Sequence, residues 1–290
     1  MFNDVVSGLN AFVFCIFDKL EDSELQIQLT RDHARAFADA DPRLAAFLAP
    51  FLEKMADGKA TVETVALPAM QHLAYCFLID YVFQPFYPIA VQFIPDQFYN
   101  SLIGLCGSVA NLGEPARVFH WKTGLTSVAE SQELFGRWRT MAYRAVRHPH
   151  PEDPHYLADL TEHLFDYLHA LLSVLLPRQD LDDVLNEFAP RAHKVLQKAI
   201  KFQDVTQGVC VAWDYSVFFP ASQQPLVPDE MEVDPEAYAD HEAVLGKPGG
   251  GGVVLLPTVL GLMANRKGQQ GLETNVVQKA KIVPLFPSPT

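Results

Sequence analysis

The sequence is short of positive charge, of cysteine and of unbroken apolar runs, and each shortage excludes something. Lys and Arg number 22 against 35 Asp and Glu, a net charge of −13 over 290 residues. A phosphate backbone needs a basic face, so nucleic acid is excluded as a partner. The four cysteines, Cys15, Cys76, Cys106 and Cys210, lie far apart with no CxxC pair. They read as reduced, mostly buried thiols of a cytoplasmic protein. The first residues, MFNDVVSGLNAFVFCIF, are apolar but carry Asp4 where a secretory signal wants Lys or Arg. The nearest approach to a membrane span, Val65 to Pro95, is interrupted by His72, Asp80 and a series of prolines, so no span is expected.

Catalytic signatures are missing too. The glycine run GKPGGGG lacks phosphate-loop spacing, and GLCGS around Cys106 lacks the second glycine of a nucleophile elbow. HExxH and a GxGxxG between strand and helix are absent. No dinucleotide, kinase or triad enzyme is indicated, and no cofactor is expected.

What is present is apolar bulk in helical order. The chain is 49% hydrophobic with 20 Phe, enough to bury a large core. The clearest element begins at Asp153-Pro154, where Asp caps free N–H groups and Pro at the first position has none to waste. Pro177 ends it. Leu157, Leu160, Leu164, Leu168, Leu171 and Leu175 share one face by three- and four-residue steps. Asp159, Glu162, His163, Asp166, His169 and Ser173 share the opposite one. Similar periodicity predicts helices over 2–20, 23–38, 42–57, 68–84, 97–112, 127–146 and 180–204, the last kinked or split by Pro190. The run 208–219 is ambiguous between helix and strand. Asp234-Pro235 repeats the Asp-cap device for a short helix. Val253–Met263 and Thr274–Pro284 are β-rich runs separated by NRKGQQG, a hairpin loop by composition.

The expected fold is therefore mainly α: a multi-helix globular bundle with a short C-terminal tail of β-hairpin composition. The expected division is a helical domain over 1–219, an acidic Pro/Gly-rich linker with a short helix over 220–252, and the tail over 253–290.

Three constellations could carry chemistry. Asp166-x-x-His169 has metal-ligand spacing, but it lies opposite the leucine stripe, where a solvated face with local Asp–His pairing is expected; no metal site is predicted. His72, Cys76 and Asp80 are spaced four and four on the most apolar helix, within about 80° of one another around the axis. Buried polar groups need partners, so this stripe meets polar atoms, water or a ligand. The plain reading is a hydrogen-bonded core group, and the sharper one is half a metal site or a polar handle in an apolar pocket. The third is a basic cluster in which Arg137 and Arg144, seven residues apart, could bind an anionic small ligand or an acidic segment.

Two functions follow from different classes. One is a non-catalytic interaction or regulatory module with a protein partner. The other is an enzyme or binding protein for an apolar small molecule in an aromatic-lined helical cavity, using His72, Cys76 and Asp80.

Overall fold

The computed structural model describes residues 1–22, 35–37, 44, 47–49, 62–83, 136–137, 140, 143, 154–175, 178–210, 212–235, 251–268 and 271–286. Within them the chain is mixed α/β, not the mainly α bundle with a short hairpin tail expected from the sequence: helices stand with two three-stranded sheets. The expected helices over 23–38, 42–57, 97–112 and 127–146 fall largely outside the described residues.

Helix α1 spans Phe2–Asp22 and α2 spans Val62–Phe77. A π-helical segment, Leu78–Phe83, continues α2. Helix α3 runs Pro154–Leu175 and α4 runs Arg178–Gly208. Pro190 sits inside α4 without splitting it, and Pro68 sits inside α2. Helix α1 packs on α2 and α4, and α3 packs on both as well. The leucine stripe of α3 faces this core: Leu160, Leu164, Leu168 and Leu171 are fully buried, while Asp159, Glu162 and Asp166 are exposed. At about 25 cal/mol per Å² of apolar area, that separation of faces is what holds the helix in place. Val65–Phe83 has a length and a mean hydropathy (1.2) that would also suit a membrane, yet 78% of it is buried within the protein.

The strands form one bent hairpin with a third strand added at each end. Strand β1 is Asp214–Phe218 and β2 is Met231–Val233. Strands β3 (Val253–Val259) and β4 (Gly261–Gly268) are separated only by Leu260. Strands β5 (Gly271–Gln278) and β6 (Ala280–Leu285) are separated only by Lys279. The outer half of the hairpin pairs β4 with β5, and β1 adds to β4, giving the order β1-β4-β5. The inner half pairs β3 with β6, and β2 adds parallel to β6, giving β2-β6-β3. Gly261 stands at the bend opposite Phe218, where any β-carbon would collide with the phenyl ring.

The β part shares the helical core. Leu255, Leu256, Val259, Leu260, Leu262 and Val283 belong to one apolar cluster with α1 to α4, and β3 lies against α2.

Candidate functional site

The site begins with a histidine that has nowhere to go but the sheet. His72 is buried on α2 at 5% exposure, and Nδ1 donates to the Pro257 carbonyl of β3 at 3.0 Å. A carbonyl oxygen only accepts, so Nδ1 holds a proton; in the neutral ring Nε2 then presents a lone pair. Cys76, one turn on and also buried, sets Sγ 3.5 Å from Nε2, so its S–H is the donor there. The Phe219 ring stacks on the imidazole at 5.2 Å and also touches Tyr75.

A second buried polar group continues this contact. The Tyr75 hydroxyl donates to the Asn10 side chain at 2.9 Å and lies 3.3 Å from the Val6 carbonyl, both on α1. Its ionisation is pushed far up, first by burial and then by the negative charge of Asp234. Asp234 is 4% exposed, stands immediately before the helical Pro235, and accepts from the Thr258 hydroxyl at 2.7 Å. The polar groups that join α1, α2 and β3 thus meet inside the protein, each with a partner supplied by the chain.

Asp80 does not join His72 and Cys76. It falls in the π segment, where more residues per turn rotate the chain out of the α phase, and it is exposed. Its Oδ2 accepts from the Tyr167 hydroxyl of α3 at 3.0 Å. Beside it Tyr81 is stacked between Phe77 (4.9 Å) and His163 (5.4 Å), and His163 lies 3.8 Å from Asp166. The charged face of α3 and the π segment therefore make one surface patch. Among the described residues no three His, Cys, Asp or Glu groups could hold a metal ion together. Arg137 is exposed on a helix, and Arg144 lies outside the described residues.

Two partners of His72, Pro257 and Phe219, carried no chemical signal in the sequence, because a carbonyl and a phenyl ring are found only by folding. The Asp234-Pro235 cap was legible, but its bond to Thr258 was not.

The sheet edges supply the remaining geometry. The outer edge of β3 is occupied at several points between Gly252 and Pro257. Leu226 N donates to Gly252 O, Gln223 N to Val254 O, and Val254 N to Gln224 O. The Ser222 hydroxyl donates to Leu255 O, and His72 takes Pro257 O. Gln223 adopts a left-handed φ of 66° to make this turn. On β5, by contrast, Glu273, Thr274, Asn275 and Val277 are exposed, and among the described residues no strand pairs with its outer side.

No protein-family model, no curated protein and no solved structure matches this chain.

Proposed function

We propose that the chain is a non-catalytic interaction or regulatory module whose partner is a protein, and that the docking site is the outer edge of β5. The observation that supports this reading is the contrast between the sheet edges. An unpaired strand edge presents a row of N–H and C=O groups that an added strand satisfies. Edge β3 is covered by a turn, a hydroxyl and a histidine, whereas β5 exposes Glu273, Thr274, Asn275 and Val277. The buried stripe argues the same way. His72 and Cys76 turn to Pro257 and to each other, which leaves the groups that a small-molecule pocket would use occupied by the chain itself.

A photo-crosslinking amino acid at Asn275, with one at the exposed Glu162 of α3 as control, tests this reading in cells. A protein captured at Asn275, absent at Glu162 and lost on Val277→Pro is the expected result. Equal capture at both positions, or none at Asn275, would remove β5 from the docking role.

A further inference from the structure

We propose that the C-terminal end of α4 holds a monovalent cation of potassium or ammonium size, bound by the side chains of Tyr156, Asp204, Gln207 and Thr140. The inference does not rest on docking at β5.

The fold brings these residues together around one carboxylate. The connection from Leu175 to Arg178 is short and the two helices pack on each other, so α3 and α4 run antiparallel. Tyr156, in the first turn of α3, therefore stands beside the last turns of α4. There Asp204, half-buried, accepts from the Tyr143 hydroxyl at 2.7 Å. The Tyr143 ring lies on the end of α4, 3.2 Å from where a β-carbon on Gly208 would stand. Thr140 precedes Tyr143 by about one helical turn and Gln207 follows Asp204 by one, so each shares a face with its neighbour. Burial and then the charge of Asp204 raise the Tyr156 phenol above its ordinary value, which puts the carboxylate near that hydroxyl too.

Three oxygens of this group are orphans. Among the described residues the Tyr156 hydroxyl, the Thr140 hydroxyl and Gln207 Oε1 are buried without a hydrogen-bond partner. Their residues are 6%, 8% and 7% exposed, so bulk water does not serve them. The buried groups around His72 and Tyr75, by contrast, are bonded to the chain.

Hydroxyl and amide oxygens accept, and a single bound cation can satisfy several of them at once. The field has the right sign. Helix α4 ends here, its negative dipole end adds to the Asp204 charge, and its last turn carries no basic residue. One acid among neutral oxygens is too little charge for calcium or magnesium, and the set offers no thiolate or imidazole to a transition metal. A weakly hydrated monovalent ion fits. Asp204 gives it a route from solvent, and the buried oxygens replace its lost hydration.

Thermal melting of the full chain in potassium, ammonium or tetramethylammonium chloride, at equal ionic strength, tests the site. Tetramethylammonium has no N–H to donate and is too large to enter. Melting should be higher in potassium and ammonium by about 2 °C or more, as expected of a ligand that binds the native state alone. Tyr156→Phe and Gln207→Met each remove one oxygen at nearly constant volume and should abolish that difference. In tetramethylammonium both variants should melt no lower than the wild type, because an orphan has been removed; a merely structural role would lower melting in every salt. In the wild type, bound ammonium should also show nuclear Overhauser contacts to tyrosine ring protons, a reading that needs no variant. Equal melting in all three salts would assign the oxygens to water and overturn the site. So would a difference that survives in either variant, since cations would then act only through the net charge of −13, or ammonium without ring contacts.

Discussion

Strands β3 and β5 belong to the same bent hairpin, yet among the described residues the outer edge of one is covered and that of the other is not. Every residue of β3 after Val253 is buried, and its backbone groups at Val254, Leu255 and Pro257 are bonded to residues 222–224 and to His72. Among the described residues strand β5 pairs on its inner side alone, and it shows Glu273, Thr274, Asn275 and Val277 to water. Covering a strand with a helix and a turn removes the template that an open edge offers. Among the described residues the two edges of one hairpin are therefore treated differently within one piece of chain.

The contrast can be broken from its covered side first. Leu256→Ala on β3 and Leu164→Ala on α3 each remove a fully buried side chain, and each should destabilise by about 2–5 kcal/mol in urea unfolding. Losses below 1 kcal/mol at Leu256 would mean that β3 is not part of the core. His72→Leu keeps the apolar volume but leaves the buried Pro257 carbonyl without its donor, at a cost of about 1–3 kcal/mol. An unchanged stability would show that the carbonyl finds water, and that the edge is open after all.

A pH series sharpens the same side. Burial and a nearby carboxylate, Asp234 for Tyr75 and Asp204 for Tyr156, raise both phenols above their ordinary value of 10. A raised folded value means that stability is complete below the unfolded value and falls as pH climbs through it. Between pH 10 and 11.5 the loss should approach about 1.4 kcal/mol per pH unit for each tyrosine, and Tyr75→Phe should reduce the slope. A flat profile above pH 10 would contradict the burial of both hydroxyls. The smallest effects belong to the open side: Val277→Thr on β5 and Asp166→Ala on α3 should each stay within about 0.5 kcal/mol. A large loss at Val277 would mean that something in the chain already covers β5.

Much of the helical part was legible, because its signals are local. The Asp153-Pro154 cap and the three-and-four leucine spacing fix where α3 starts and which face it buries. The sheets were harder to read for physical reasons. Strand β1 pairs with residues nearly fifty positions away, so its own stretch leaves helix and strand undecided, whereas β3 lies in the run Val253–Met263 that β-rich composition marks even without alternation. Strand β2 is three residues of an acidic, proline-flanked stretch whose composition resembles a linker. The site was half legible. His72 and Cys76 share a helix face at i and i+4 and do meet, whereas Asp80 leaves that face because the helix changes pitch at Leu78. Nothing in the local sequence marks that change.

The bend in the hairpin has a mechanical side. Its two arms cross from one sheet to the other at single residues, Leu260 in the core and Lys279 at the surface, like a beam resting on a fulcrum. From the fulcrum the outer arm reaches roughly 25 Å at 3.3 Å per residue, and the inner arm meets the imidazole of His72 at Pro257, close to the fulcrum. A load placed on β5 is thus carried by the backbone, without a joint, to the contact that holds the sheet against α2.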